Sequence, residues 1–333
     1  MTNKKISLVL PTYNVARYLE QCLQSILEST YKNYEVIIVI DGATDGSYEI
    51  AQKYSEKYEN FYVYWQENAG SGPARNLGLK NATGELIMFI DPDDWIEPDY
   101  IEKMVAAQQE NDYDLLVASS TYHIFNKKES KSKIIKKNVT PLCAPNKMDA
   151  RTKYASLLYM GRLSGPHCKI FKQSIIKRYG IEFPDLRRSQ DIVFNYRYYN
   201  YIESVYVVEE YGYNYRCPFD NHKKKLSIDY WKTLVFIYED IKKLIISWGV
   251  NDEDGLIPGF ILNHFYAYLE KCVWSGVEIN SVIPNESIQE MAKNAYVKKR
   301  HVAVVQKMIR KKHFFRLKIF LYIMVVMKSF IRG

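Results

Sequence analysis

Short apolar runs alternate with helical patterns through the first hundred residues, and this alternation limits the folds open to the chain. The predicted strands lie at 6–10, 36–40, 61–65 and 85–90. The predicted helices lie at 16–27, from a cap at Thr44 or Asp45 to residue 58, and at 73–79. Strands that alternate with helices form a parallel sheet with right-handed crossovers. We therefore expect an α/β fold with helices on the faces of a mostly parallel sheet.

The remaining pattern predicts a second, helical region. A chain of 333 residues suggests roughly two domains at about 150 residues each. A helix at 98–109 and a strand at 114–119 continue the first pattern, and the polar stretch 126–138 predicts a surface hairpin or loop. From residue 226 onward the pattern becomes helical and rich in large aromatic side chains. We expect an α/β domain over 1–220 and a helical region over 221–333.

The cysteines and the apolar runs indicate the cellular compartment. Five cysteines are scattered without a CxxC pair, a pattern typical of reduced thiols in the cytosol rather than of a disulfide framework or a zinc site. The opening segment is broken too early by Pro11 to be a signal peptide. Nor is there an uninterrupted apolar run of about 18 residues, the length that a spanning helix needs. We expect a cytoplasmic protein.

Charge is distributed unevenly along the chain. Residues 291–333 hold twelve of the 46 Lys and Arg residues and no acidic residue, whereas the rest of the chain holds all 38 acidic residues. Such asymmetry is typical of an interaction segment. The basic, aromatic segment 298–333 suits peripheral contact with an anionic membrane, on the inner face of the plasma membrane. A packed C-terminal helix and a dimerising helix stay open as alternatives. Nucleic-acid binding ranks low because no recognition motif accompanies the charge.

A cluster of acidic residues directly follows the predicted strand at 85–90. The run Phe89-Ile-Asp-Pro-Asp-Asp-Trp95 places three carboxylates within four residues. In an open α/β sheet, the carboxyl ends of the strands border the crevice where ligands bind. Mg²⁺ or Mn²⁺ is typically held by one or two carboxylates together with substrate phosphates. The cluster therefore predicts a divalent-metal site for a phosphorylated substrate, with a solvated Asp-Pro turn that caps the next helix as the alternative.

Three further polar segments follow the other predicted strands. They are 11–14 (Pro-Thr-Tyr-Asn), 41–47 (Asp-Gly-Ala-Thr-Asp-Gly-Ser) and 68–76 (Asn-Ala-Gly-Ser-Gly-Pro-Ala-Arg-Asn). The aromatic side chain of the first segment could stack on a nucleobase. A carboxylate of the second could accept a hydrogen bond from an N–H group of the base, and Arg75 in the third could bind a phosphate. The last segment does not form a dinucleotide-binding GxGxxG motif, because Arg75 replaces the third glycine and the segment follows the third strand.

These four segments, in this order and spacing, resemble those of family 2 glycosyltransferases of the GT-A fold. The resemblance covers about residues 5–215. It implies an inverting hexosyltransferase that uses a nucleotide-diphosphate sugar, commonly a UDP sugar. It is similar in particular to enzymes of bacterial capsule and exopolysaccharide synthesis, whose acceptors are glycans or lipid-linked oligosaccharides. On this resemblance, residues 1–220 form the nucleotide-sugar-binding catalytic domain.

The resemblance also implies roles for individual residues. The nucleotide-contacting positions match Pro11, Tyr13, Asp41, Arg75 and Asp91. The DxD motif, which engages Mn²⁺ or Mg²⁺ and the diphosphate, matches Asp91 and Asp93, with Asp94 adjoining. The general base matches Asp191, which follows Gln190. The diphosphate or acceptor candidates are Asp94, Lys169, Gln190, Arg216 and His222.

Three positions depart from the family pattern. Ile40 stands where Asp or Asn is common, and Ala43 stands where Ser is common, so both change the surroundings of the base pocket. Gln190 replaces the usual Glu before the base. Because Gln190 carries no charge, the pKa of Asp191 should be lower than in a Glu-Asp pair. A catalytically weak scaffold subunit of a polysaccharide-synthesis complex therefore remains the alternative function.

Each assignment also has a purely structural alternative. Asp191 could cap the helix that follows it, Asp41 could organise a turn, and Arg75 could form a surface ion pair. The segment 165–171 is similar to the segment that lines the acceptor side in this family, and His167 within it could instead be a satisfied, partly buried histidine. A nucleotide-sugar pyrophosphorylase shares the donor and metal chemistry, but it needs a glycine-rich basic loop after the first strand. The segment Pro-Thr-Tyr-Asn stands there instead.

Overall fold

The computed structural model describes residues 3–126, 131–136, 139–217, 229–275 and 285–332. The chain forms two compact units. The α/β unit comprises Met1–Ala150 and Arg162–His222, and the helical unit comprises Arg151–Gly161 and Lys223–Gly333. The helical unit thus includes a short segment that precedes the end of the α/β unit in the sequence. The expected fold class, an α/β protein with a helical C-terminal region, is confirmed.

The first part of the α/β unit alternates strands and helices as the sequence predicts. In chain order these elements are β1 (Ile6–Thr12), α1 (Ala16–Leu27), β2 (Tyr34–Asp41), α2 (Ser47–Lys57), β3 (Phe61–Gln66), α3 (Ser71–Asn81) and β4 (Leu86–Phe89). Every residue of β1 and β2 is buried, as expected for central strands of a parallel sheet that is covered on both faces. The predicted apolar face of α1 packs against this sheet through Leu19, Cys22, Leu23 and Ile26.

The second part of the α/β unit contains shorter strands. In chain order its elements are β5 (Trp95–Ile96), α4 (Tyr100–Gln109), β6 (Leu115–Val117), β7 (Thr121–Phe125), β8 (Lys131–Lys136), β9 (Leu142–Ala144), α5 (Lys147–Tyr159), β10 (Lys169–Lys172), α6 (Gln173–Tyr179), α7 (Gln190–Tyr199), β11 (Val205–Val207) and β12 (Tyr213–Cys217). Within the stretch 126–138, where a hairpin or loop is predicted, the structure has β8, which pairs antiparallel with β7 just before that stretch. The last part of α5 belongs to the helical unit.

The strands form two sheets. The larger has eight strands in the order β3-β2-β1-β4-β10-β6-β11-β9, with β1 to β4 parallel and β10 antiparallel to both of its neighbours. The smaller has four strands in the order β5-β12-β7-β8. Because β5 begins just after the acidic cluster, pairing between β5 and β12 brings the chain near residue 216 next to those acids.

The helical unit is built around one central helix. Its elements are α8 (Tyr230–Ser247), α9 (Leu256–Trp274), α10 (Glu286–Asn294), α11 (Arg300–Arg310) and α12 (Phe314–Arg332). Ile257, Phe260, Phe265 and Leu269 are buried on different sides of α9, and all four other helices contact it. A helix that is apolar on all sides is stable in water only when it is covered, and here its neighbours cover it. None of the helices in the described ranges has the length and apolarity needed to cross a membrane.

A buried carboxylate, that of Glu35, connects the N-terminal ends of three neighbouring strands, at the end of the sheet opposite the acidic cluster. Glu35 on β2 accepts hydrogen bonds from Lys5 Nζ (2.6 Å) and Ser7 Oγ (2.5 Å), and from the backbone N–H groups of Thr83 and Gly84 before β4. Burial alone would raise the pKa of Glu35. The hydrogen bonds outweigh it and lower that pKa to about 2. Glu35 therefore stabilises the fold in its charged form.

We expect Glu35→Gln to lower the free energy of unfolding by up to about 3 kcal/mol at neutral pH. This is the free energy that corresponds to the difference between the ordinary and the lowered pKa of Glu35. The contribution of Glu35 is complete above its ordinary pKa of 4.5 and is lost as the pH falls towards about 2. The difference between wild type and variant in denaturant unfolding should therefore shrink through this range. Glu59→Gln, at an exposed position, should change stability by less than about 0.5 kcal/mol. Equal unfolding midpoints for wild type and Glu35→Gln would contradict the assignment.

Candidate active site

The centre of the candidate site is the loop between β4 and β5, which carries the three aspartates. The carboxylate of Asp91 is 24% exposed, and its Oδ1 accepts a hydrogen bond from Arg75 Nη2 at 2.9 Å. Its Oδ2 lies 3.7 Å from Nδ1 of His167. Two cationic or ionisable side chains from distant parts of the chain therefore approach the same carboxylate.

Arg75 is buried on α3, so it is not a surface ion pair. Gly78, one turn later, lets α3 approach β1 closely, because a Cβ atom at this position would lie 2.4 Å from Val9 Cγ1. The guanidinium group packs over the ring of Phe183 at 5.5 Å. Its Nε is buried and has no hydrogen-bond partner among the described residues. A buried donor that lacks a partner suggests that a ligand supplies one.

Asp191 lies in the first turn of α7 and belongs to the same electrostatic cluster. Burial raises the pKa of Asp191, the charge of Arg75 opposes this shift, and the charge of Asp91 adds to it. Ser189, in a left-handed conformation with φ 60°, is the N-cap residue of α7, and the Asp191 carboxylate accepts a hydrogen bond from the backbone N–H of Ile192 at 3.2 Å in the first turn. A carboxylate with a raised pKa beside a cation is a chemically suitable proton acceptor.

Gln190 ties α7 to the N-terminus of α3. Its Nε2 donates to Ser71 Oγ at 2.7 Å, while its buried Oε1 has no partner in the part of the chain that the structure describes. The absence of a negative charge here does not prevent the raised pKa of Asp191, because burial is the largest cause of that shift.

The loop at 163–167 is held by hydrogen bonds from two neighbouring elements. Lys169 Nζ on β10 donates to the carbonyl oxygens of Gly165 (2.5 Å) and His167 (3.3 Å). Asn195 Nδ2 on α7 donates to the carbonyl oxygens of Leu163 and Gly165, both at 3.0 Å. Burial lowers the pKa of Lys169 to about 8. The structure therefore places Lys169 beneath the loop that presents His167.

His167 stacks on Tyr213 of β12, with ring centroids 5.6 Å apart. Together with its approach to Asp91, this contact makes His167 part of the site. The sequence indicated only the segment around this residue. Its proximity to Asp91 arises from the pairing of β10 with β4, which no local pattern reveals.

Asp94 and Arg216 form a buried clamp behind the exposed acids. Asp94 accepts hydrogen bonds from the Tyr213 hydroxyl (2.8 Å) and the backbone N–H of Arg216 (2.7 Å). Burial and the charges of Asp93 and Asp91 raise the pKa of Asp94 well above its usual range. The Arg216 side chain donates to the carbonyl oxygen of Asp93 and to Gln21 Oε1. It lies among the rings of Tyr18, Trp95 and Phe125.

The loop between β4 and β5 offers only a few side chains as ligands for a metal ion. Asp91 and Asp93 are partly exposed, whereas Asp94 is buried within the clamp. In the described ranges, no three or more His, Cys, Asp and Glu side chains are grouped so that they could hold a metal ion. Two carboxylates fit an ion whose remaining ligands come from substrate phosphates and water, which is the usual arrangement for Mg²⁺.

The predicted nucleotide-contacting residues lie at the ends of β1 and β2. Pro11 is buried, and Tyr13 is exposed. Asp41 is buried and accepts hydrogen bonds from Gln66 Nε2 and from the N–H groups of Ala69 and Gly70. Asp41 thus orders the segment that leads into α3. His222, the remaining candidate, lies outside the described residues.

A cavity of about 400 Å³ opens beside this region. Its lining consists of Ala43, Thr44, Gly46, Tyr48, Glu49 and Trp65. Ala43, one of the departures from the family pattern, lies in this lining, while Ile40 is fully buried in the sheet.

The chain is similar in sequence to known glycosyltransferases. The sequence profile "Glycosyl transferase family 2" matches residues 7–180. The glycosyltransferase EpsH of Bacillus subtilis is 30% identical over 243 residues, which cover 72% of this chain and 68% of EpsH. The poly(ribitol-phosphate) beta-glucosyltransferase of Bacillus spizizenii is 31% identical over 271 residues, which cover 78% of this chain and 40% of that enzyme.

Solved structures show the same fold. TarS 1–349 of S. aureus, in complex with UDP, matches with a TM-score of 0.68 at 21% identity and covers 95% of this chain and 90% of that one. Several other curated relatives are much longer than their match to this chain, which spans 18 to 38% of their length.

We expect Arg216→Ala to destabilise the α/β unit by about 2 to 4 kcal/mol, because it removes a buried side chain and two hydrogen-bonded donors. Arg216→Lys keeps the charge but not the planar fork, so its effect should be intermediate. Thermal unfolding measures both variants. Arg187→Ala, at an exposed position near α7, is the control and should unfold as the wild type does. An unchanged melting temperature for Arg216→Ala would rule out the clamp.

Proposed function

The chain belongs to glycosyl transferase family 2, and on that premise we propose that it transfers a sugar from a nucleotide-diphosphate donor to a hydroxyl group with inversion. The donor sugar is a hexose or an N-acetylhexosamine, carried by UDP. The acceptor is a glycan or a lipid-linked oligosaccharide in bacterial surface polysaccharide synthesis. The name of the poly(ribitol-phosphate) beta-glucosyltransferase supports a surface polymer, and the complexes of TarS with UDP and UDP-GlcNAc support a UDP sugar.

One observation carries this proposal: Arg75, Asp91 and Asp191 form a single electrostatic cluster at the rim of the sheet. Transfer with inversion needs a base on one side of the anomeric carbon and stabilisation of negative charge on the other. Asp191 can supply the first and Arg75 the second. The buried, unpartnered Nε of Arg75 is available to a donor oxygen.

We assign the general-base role to Asp191. The acceptor oxygen attacks the anomeric carbon as its proton moves to the Asp191 carboxylate, and the bond to the diphosphate breaks. Such a base typically contributes about 10²- to 10⁴-fold in rate. The raised pKa of Asp191 brings it closer to neutral pH, where a carboxylate is a more effective base.

Asp93 and Asp91 would hold the divalent ion. Asp91 Oδ1 already pairs with Arg75, and both Asp91 and Asp93 are partly exposed. When bound, Mn²⁺ or Mg²⁺ would supply positive charge to the departing nucleoside diphosphate. Arg216 and Asp94 act as positioning residues, since they hold the loop that carries Asp93. Pro11, Tyr13 and Asp41 would border the base.

The two regions divide this work. We propose that residues 1–220 carry the chemistry, and that the helical region 221–333 provides a peripheral membrane contact or a homodimer contact. The membrane contact would place the reaction in the cytoplasm, on the inner face of the plasma membrane.

We expect Asp191→Asn to abolish transfer while donor affinity remains within about threefold of wild type, since the base acts on the acceptor. In the wild type, kcat should fall as the pH drops through the pKa of Asp191. This fall should occur at higher pH than for an ordinary aspartate, because the pKa is raised. Nucleotide release and product formation measure the rate, and calorimetry measures donor binding. Wild-type turnover in Asp191→Asn would refute the assignment, and donor binding without hydrolysis or transfer in the wild type would favour the scaffold alternative.

A thermal-shift panel of nucleotide sugars, with and without Mn²⁺, identifies the donor. The correct donor should stabilise the wild type by about RT ln(1 + [L]/Kd), and the stabilisation should need the metal. In Asp93→Ala we expect the metal-dependent part to disappear. Asp185→Ala, at an exposed position, should respond as the wild type does. Stabilisation of Asp93→Ala by donor and Mn²⁺ to the wild-type extent would exclude Asp93 as a metal ligand.

A further inference from the structure

Helix α12 has two apolar faces, and only one of them is covered. Leu317 and Leu321 are fully buried, and α12 packs against α9 and α11. Phe315 and Tyr322 are 78% and 62% exposed, and Ile319, Ile323 and Met327 are exposed as well. At roughly 100° per residue, these five side chains lie on the side of the helix opposite Leu317 and Leu321. We call these five residues the α12 stripe.

Exposed cations also lie on α12. At roughly 100° per residue, Lys318 lies beside the direction of Tyr322 and Phe315, and Arg316 lies in the direction of Ile323 and Met327. Further exposed cations in α11 and in the turn before α12 are Lys307, Arg310, Lys311 and Lys312. The segment from residue 291 onward contains no acidic residue that could neutralise them. The combination is an apolar band with aromatic side chains, together with exposed positive charges in a segment that contains no acidic residue.

An apolar band beside positive charge fits some classes of binding partner better than others. A second copy would bring two equally positive surfaces together, and like charges at a contact oppose association. A nucleic acid would use the cations but would leave the apolar band in water. An anionic lipid surface uses both features, because apolar side chains enter the acyl boundary while Lys and Arg remain at the headgroups.

We propose that the α12 stripe is the surface by which this protein binds anionic membranes, with α12 lying in the plane of the interface. Lys and Arg side chains are attracted to the anionic headgroups of such a surface, and the apolar side chains add the burial of their exposed area. α12 is too polar to cross the bilayer, because Arg316 and Lys318 interrupt it. The proposal chooses between the membrane contact and the dimer contact, and it does not depend on the sugar or the acceptor.

Vesicle flotation of the full-length chain tests this. Wild type should bind vesicles with about one third phosphatidylglycerol, should bind pure phosphatidylcholine poorly, and should be released by salt. F315E/Y322E should lose at least about tenfold in partitioning, because it places two charges in the apolar band. The matched control is Ile246→Glu on α8, which changes a 65% exposed isoleucine outside the α12 stripe and should bind as the wild type does.

Three results would overturn the proposal. One is a wild type that does not float with anionic vesicles. Another is F315E/Y322E floating as well as the wild type, with circular dichroism and melting temperature unchanged in both proteins. The third is a wild-type dimer in sedimentation velocity that the two glutamates dissociate without any vesicle binding, which would assign the α12 stripe to a second copy. Asp191→Asn should float as the wild type does, so failure of this proposal and failure of the proposed catalysis are separable.

Discussion

Three carboxylates within four residues repel one another, and the architecture around the β4–β5 loop follows from how each of them is accommodated. Asp91 is paired with Arg75, and Asp94 is buried with a raised pKa beneath Tyr213 and the backbone of Arg216. Asp93 is left partly exposed, with its carbonyl held by Arg216. The loop thus combines one paired, one buried and one partly exposed acid. Pairing and protonation reduce the repulsion among the three carboxylates.

The groups that accommodate these acids come from far along the chain. Arg75 arrives on α3, Arg216 on β12 and His167 on the loop before β10. The positions of β10 and β12 depend on sheet pairing, since β10 lies against β4 and β12 lies against β5. The site is therefore a consequence of strand order. A substitution that disturbs β12, such as one at Tyr213, would reach Asp91 and Asp94 together.

The helical unit follows a different physical rule. Its centre is α9, a helix covered by four others, and the packing of apolar side chains stabilises it. Close approach of the backbone sets the N-terminal end of α9. Gly255 and Gly259 face the chain at 294–296 so closely that a Cβ atom at either position would clash with a carbonyl oxygen. The outer face of α12 breaks this rule, since large apolar side chains there remain exposed beside exposed cations. Such a departure is expected at an interaction surface.

The amino-acid sequence by itself determined the local elements of the first 120 residues and the residues of the acidic cluster. Helix α1 begins and ends where its apolar periodicity predicts, and β1 to β4 lie within two residues of their predicted bounds. These features depend on side-chain periods of 3.6 and 2, which a linear sequence displays directly. Tertiary structure decided the rest. It moved Asp94 and Arg216 from presumed ligand contacts into a buried clamp, brought His167 to Asp91, and joined residues 151–161 to the helical unit. It also left one apolar face of α12 exposed. Burial and pairing between distant segments control each of these outcomes. The local sequence pattern of a strand does not show which other strand will pair with it.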